Sequence, residues 1–206
     1  MNAPITTAVV LAAGNGKRLQ PLTASRSKAM MPIVGKPMIE RVLETLAANG
    51  ICEFILVIHP EDTEIQEYFR KRSAFRDQVR YVEQPEQLGM GHALACAIPL
   101  IHGDFVLSAC DNLVTSQDVE CMLAAWKVSP RPNGVLSLLQ VPRTQISKTG
   151  IVELDGEWVT RIIEKPSVDQ APSDIASIPL YIFSLKILDY LREVPLSSRG
   201  EYELQD

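Results

Sequence analysis

Short apolar runs alternate along the chain with longer segments in which apolar residues recur every three or four positions. From Thr7 to Ala12 the residues are β-branched and small with no polar break, which predicts a strand buried on both faces of a parallel sheet. Gly35-Lys36-Pro37 then opens a helix, with Pro37 at its first position, Met38, Ile39, Val42, Leu43 and Leu46 on one face, and Gly50 closing it. Phe54 to Ile58 reads as a second strand, Asp62 to Arg72 as a helix with Ile65, Tyr68 and Phe69 inward, and Val79 to Val82 as a third strand. This is a βαβ pattern.

The alternation continues through a small-residue helix from Gly91 to Ile98 and a strand from Phe105 to Ser108. A helix opened by Thr115-Ser116 follows, with Val119, Met122, Leu123 and Trp126 on one face, then a strand from Val135 to Val141. After that the period changes. Gly150 to Leu154 and Trp158 to Ile163 flank Asp155-Gly156, a two-residue hairpin turn, and predict an antiparallel insertion. Ser167 to Ser177, rich in Pro, Ser and Asp, reads as a surface loop, Ile178 to Phe183 as a strand and Leu185 to Leu191 as a helix. The expected fold is α/β: a Rossmann-like, doubly wound, mainly parallel sheet flanked by helices and carrying a β-hairpin insertion.

Composition narrows the class. With 206 residues, 46% of them apolar and 22% charged, the chain is expected to form one globular domain over 1–206. No segment is apolar long enough to span a bilayer, and the start MNAPITT lacks the pattern of an export signal, so a soluble cytoplasmic protein is expected. Cys52, Cys96, Cys110 and Cys121 show no metal or disulfide spacing. The net charge of −5 argues against nucleic acid and anionic membranes as partners. A polyanionic ligand must therefore be held by local charge, and Gly14 to Lys36 supplies Lys17, Arg18, Arg26, Lys28 and Lys36 with no Asp or Glu among them.

That basic stretch begins with Gly14-Asn15-Gly16-Lys17-Arg18-Leu19, which starts like a dinucleotide fingerprint but has Leu19 in place of the third glycine and Pro21 blocking a long helix. No Walker loop is present. What remains is a glycine loop whose N–H groups can face phosphate oxygens, at the carboxyl end of the first strand, where open α/β sheets bind ligands. Asp111, just past a later strand, suits either a hard cation such as Mg²⁺ or a turn cap. His59, His92 and His102 have no metal-like spacing and read as structural or surface residues.

The stretch LAAGNGKRLQPLT, continuing through Lys28 to MPIVGKP, resembles the signature of the sugar-1-phosphate nucleotidyltransferases, or sugar-nucleotide pyrophosphorylases. Glu86 to Ala93, Asp111-Asn112, Gly150-Ile151-Val152 and Glu164-Lys165-Pro166 resemble further family motifs, in the family's order. The resemblance implies in-line attack of a sugar 1-phosphate oxygen on the α-phosphorus of a nucleoside triphosphate, with Mg²⁺ bridging the phosphates and pyrophosphate leaving. By the same resemblance Arg18 holds the departing pyrophosphate and Lys28 the α-phosphate. Leu11, Ala12, Ala13, Gly14 and Gly16 line the nucleotide, Gln87 and Gly89 read a pyrimidine base, and Asp111 ligates Mg²⁺. Gly150, Glu164 and Lys165 take the sugar phosphate on a hairpin flap.

The implied reaction moves UMP or dTMP from UTP or dTTP to a hexose 1-phosphate, with glucose 1-phosphate as the leading acceptor; kinship also implies a homo-oligomer. A non-catalytic nucleotide-sugar binder and a CTP- or GTP-dependent transferase remain alternatives. The sequence departs from the family at Cys110, where a glycine is usual, and at Ser177-Ile178-Pro179 in place of an Asn-Ala-Gly-like triplet. It also ends at Asp206, before a second metal-binding aspartate, which predicts a shortened catalytic domain.

Overall fold

The computed structural model describes residues 4–14, 16, 19–23, 26–128, 132–197 and 199–205. Strand β1 (Thr7–Leu11) is apolar on both sides and lies inside the sheet, with Val9 facing one layer and Ala8 and Val10 the other. A small hairpin, β2 (Pro32–Ile33) and β3 (Lys36–Pro37), leads into α1 (Met38–Ala47). Next come β4 (Glu53–Ile58), α2 (Thr63–Lys71), β5 (Val79–Glu83), α3 (Met90–Ala97), β6 (Phe105–Ala109), α4 (Ser116–Ala125) and β7 (Gly134–Gln140). The one-turn α5 (Arg143–Ile146), the hairpin β8 (Gly150–Asp155) and β9 (Trp158–Glu164), β10 (Ile175–Phe183) and the one-turn α6 (Ile187–Tyr190) complete the order.

Among the described residues the main sheet runs β5-β4-β1-β6-β10-β8-β9, with β7 also paired to β10. Strands β5, β4, β1 and β6 are mutually parallel, whereas β10 runs antiparallel to β6, β7 and β8. The chain winds outward from β1 to β5 and then returns to the other side of β1 as β6. Strand order therefore reverses between β1 and β6, and the crevice above their carboxyl ends is the place where such sheets accept ligands.

Two cores cover the two sheet faces, as a doubly wound fold requires. Ile39, Leu43, Ile65, Phe69, Val119 and Met122 from α1, α2 and α4 pack on Val10, Phe54 and Leu56; Leu94 and Ala97 from α3 pack on Val9, Ile55 and Val57. Thr115 opens α4 with a capping box: its hydroxyl accepts from Asp118 N, and the Asp118 side chain accepts from Thr115 N. Among the described residues no helix is long and apolar enough to cross a membrane.

Four sequence expectations are corrected. Pro37 caps α1 rather than starting it, because Lys36 and Pro37 pair with Ile33 and Pro32 around a turn in which Val34 and Gly35 both have positive φ, 47° and 79°. A valine in that conformation breaks the usual turn signal, which is why the hairpin is not legible. The β8–β9 turn is Gly156-Glu157, not Asp155-Gly156, since Asp155 pairs with Trp158 and Gly156 takes φ 60°. The predicted loop to Ser177 stops earlier: Ile175 to Ser177 already belong to β10, paired with Gln140 to Leu138 of β7. Pro179 is accommodated where the register shifts between Ile178 and Tyr181, a place where a sheet tolerates a missing N–H. The last predicted helix shrinks to Ile187–Tyr190.

Candidate functional site

The loop leaving β1 folds over Gly16, whose φ is 59°. A β-carbon on Gly16 would lie 2.9 Å from Thr23 Cγ2 and 3.1 Å from Lys28 Cβ, so glycine is needed there for close approach. Thr23 Oγ1 and Leu19 N both donate to the Gly16 carbonyl, at 2.9 and 2.8 Å. Gly14 is exposed, while Ala12 and Ala13 are buried beneath the loop. Arg18, together with Asn15 and Lys17, lies outside the described residues.

Lys28 heads a single turn of 3₁₀ helix, Lys28 to Met30, anchored by buried Ala29 and Met30. Its ammonium pairs with the Asp111 carboxylate, which projects from just beyond β6. The two strands are locked at this end by Cys110 N donating to Leu11 O at 3.0 Å. Cys110 is buried, and burial, reinforced by the Asp111 charge, pushes its thiol up to about 12, away from the reactive thiolate form.

The described members of the basic cluster, Arg26, Lys28 and Lys36, are each engaged by a carboxylate. Arg26 pairs with Glu64 of α2 at 2.9 Å, Lys36 pairs with Glu44 of α1, and Lys28 pairs with Asp111. The first two pairs draw charge out of the crevice, and Lys28 keeps its charge at the crevice itself.

Strand β5 leads into the loop from Gln84 to Gly89. Gln84 is buried; its amide donates to Gly89 O at 3.2 Å and lies 3.1 Å from His92 Nδ1, and so braces the loop. Gln87 Nε2 donates to Ala13 O at 2.8 Å, tying this loop to the glycine loop. Gly89 has φ 95°, and a β-carbon there would come 2.7 Å from Tyr202 O. Tyr202 staples the loop from the other side, its N–H donating to Leu88 O at 2.7 Å and its carbonyl accepting from Gly91 N at 2.9 Å.

Gly150 and Glu164 face each other across the β8–β9 hairpin. Lys165 follows with φ 48°, a left-handed kink that turns its side chain back so that Nζ lies 2.9 Å from Glu164 Oε1. Arg199 reaches the same carboxylate at 3.4 Å and also pairs with Glu203. The structure thus brings together Lys28 with Asp111, Gln87 with Ala13 of the glycine loop, and Gly150 with Glu164 and Lys165. Sequence reasoning missed Gln84, Arg199 and Tyr202. Gln84 carries only the weak signal of a polar residue closing an apolar strand, and the other two lie beyond the last periodic segment.

Asp111 passes a simple test for the implied cation. It offers a hard oxygen donor that already faces a positive group, with its side chain 35% exposed. No cluster of three or more His, Cys, Asp or Glu side chains surrounds it among the described residues. A single carboxylate that leaves most positions to water and phosphate is the usual manner of holding Mg²⁺.

The chain is 32% identical to the low-salt glycan biosynthesis nucleotidyltransferase Agl11 of Haloferax volcanii, over 96% of this chain and 55% of that protein. It is 28% identical to the UTP–glucose-1-phosphate uridylyltransferase of Mycoplasma pneumoniae, over 98% of this chain and 79% of that one. Among the first of its relatives, the chain spans about half their length, 55% and 45%. The crystal structure of a UDP-glucose pyrophosphorylase complexed with UDP-glucose superposes with a TM-score of 0.87 at 25% identity, covering 98% of this chain and 84% of that one. The nucleotidyl transferase family model matches residues 7–206, and the chain belongs to that family.

Proposed function

We propose that the protein transfers UMP from UTP to glucose 1-phosphate, releasing pyrophosphate. The observation that carries the reading is the meeting of Lys28 and Asp111 over the reversal point between β1 and β6, in a chain of the nucleotidyl transferase family. The choice of uridine and glucose rests on the uridylyltransferases and UDP-glucose pyrophosphorylases among its relatives.

The residues divide the work by charge and reach. Backbone N–H groups of the glycine loop face phosphate oxygens, and Lys28, a mobile point charge on a fixed turn, follows the α-phosphate as negative charge builds there. Arg18, by the family resemblance, holds the departing pyrophosphate. Gly89, with the loop braced by Gln84 and Gln87, lets the backbone approach the base. Glu164 accepts from sugar hydroxyls, while Lys165 and Arg199 on either side of it grip the sugar phosphate. Its oxygen is thereby held in line with the α-phosphorus, and positioning of this kind supplies much of the rate in phosphoryl transfer. Asp111 would hold Mg²⁺, which when bound neutralises the triphosphate and polarises its oxygens.

The test is pyrophosphate release by the full-length protein with UTP, dTTP, CTP or GTP against a panel of sugar 1-phosphates. UTP with glucose 1-phosphate is expected to give the highest kcat/KM. Lys28→Ala is expected to lower kcat by about 10²- to 10³-fold with little change in melting temperature. Tight binding of UDP-glucose without pyrophosphate release by the wild-type protein would identify a binding protein instead.

A further inference from the structure

Two groups on which the proposed reaction depends are bound to each other in the free protein. The Lys28 ammonium donates to Asp111 Oδ2 across the crevice, from the segment between β1 and β2 to the turn after β6. With side chains 28% and 35% exposed, the two charges are screened by water and salt less than a fully exposed pair would be. Both backbones are fixed. Lys28 stands on a single turn held by buried Ala29 and Met30, with Met31 N donating to Lys28 O at 3.1 Å, and Asp111 follows buried Cys110, whose N–H donates to Leu11 O at 3.0 Å. A change of partner therefore asks only for side-chain rotation, while the turn and the strand end stay in place.

The contact sets two roles against each other. On the functional reading above, Lys28 faces the α-phosphate and Asp111 holds the divalent cation, yet while they are paired an ammonium covers the carboxylate oxygen that the cation requires. No richer cluster is at hand: among the described residues no group of three or more His, Cys, Asp or Glu side chains could hold a metal instead. A divalent ion that enters alone must displace Lys28 and then lie beside its positive charge. A triphosphate removes both obstacles, because it gives the ammonium an anion of its own. We infer that the Lys28–Asp111 pair is a latch: it closes the cation site of the nucleotide-free protein, and the triphosphate opens it by drawing Lys28 away from Asp111. The inference rests on the roles proposed for these two residues and adds to them the control of one by the other.

The experiment titrates the full-length protein with Mn²⁺ and reads the free ion by electron paramagnetic resonance, so that no turnover is involved. Without nucleotide, Lys28→Met is expected to bind Mn²⁺ about tenfold or more tightly than the wild type, as follows from removing a competing cation from a half-buried carboxylate. Lys36→Met removes a cation of the same basic stretch that is paired with Glu44 instead, and its affinity is expected to stay within about twofold of the wild type. With saturating UTP, and after allowance for Mn²⁺ held by the nucleotide itself, the advantage of Lys28→Met is expected to disappear, since the triphosphate has already taken the ammonium. An affinity in Lys28→Met no better than the wild type, an equal gain in Lys36→Met, or an advantage that persists undiminished with UTP overturns the inference. Tight Mn²⁺ binding that survives Asp111→Asn in the Lys28→Met background would instead refute Asp111 as the cation's ligand, and the latch falls with it.

Discussion

At Gly89 the backbone has φ 95°, and a β-carbon would meet Tyr202 O at 2.7 Å, so any side chain there is refused twice, by conformation and by space. The Tyr202 carbonyl that blocks it is also the acceptor for Gly91 N, so a shift to make room breaks that bond and loosens the loop against Ala13. Gly89→Ala is expected to destabilise the fold by about 1–3 kcal/mol, the usual cost of a side chain forced into such a conformation, and to weaken UTP binding by more than it weakens sugar-phosphate binding. Thermal melting and separate titrations of the two ligands check this; equal losses for both would place the damage elsewhere. Gly89 is legible in sequence as a turn glycine. That its neighbour in space is Tyr202 is not, because the two residues come together only when the C-terminal segment packs on the loop.

Helices α1 and α2 are joined by a buried carboxylate. Glu40 of α1 is 5% exposed and accepts from the Tyr68 hydroxyl of α2 and from Ser73 Oγ at 3.0 Å. Burial first, and the bond to Glu40 second, push the Tyr68 phenol up to about 12 from an unfolded value of 10.0. A group whose pKa is raised by folding gives its full stability below the unfolded value and loses it as pH rises through the folded one. The melting temperature is therefore expected to fall between pH 10 and about pH 12, and less steeply in Tyr68→Phe, at a neutral-pH cost of about 1 kcal/mol for the lost bond. Parallel alkaline slopes in the two proteins would remove Tyr68 from the effect. The amphipathic stripes of both helices were readable from the three-to-four spacing of their apolar residues, yet Glu40 looks like one more surface charge in the sequence, since its partners lie on another element.

Across the whole molecule, the segment from Arg199 to Gln205 ties the loop from Gln84 to Gly89 to the hairpin: Tyr202 pairs with Leu88 and Gly91, Arg199 with Glu164 and Glu203, and Gln205 lies beside Gly150. Arg199→Ala is expected to raise KM for the sugar phosphate by about tenfold to a hundredfold, the worth of one charge-assisted bond, while UTP affinity stays within about threefold. Equal effects on both ligands would mean that Arg199 serves the fold alone. By itself the sequence determined the alternating βαβ plan, the two-sided burial of β1 and the glycine loop at its end, because each follows from residue period and backbone freedom within a few positions. It also carried the family motifs in order. Only the tertiary structure decided which cations stay at the crevice, that Lys28 meets Asp111, that Gln87 braces the glycine loop, and that β10 begins at Ile175 inside a run that reads as loop. The reason is common to all of these: a charge or an amide is paired, and an ambiguous strand registered, by residues brought near through the sheet from far along the chain, and no local pattern records that distance.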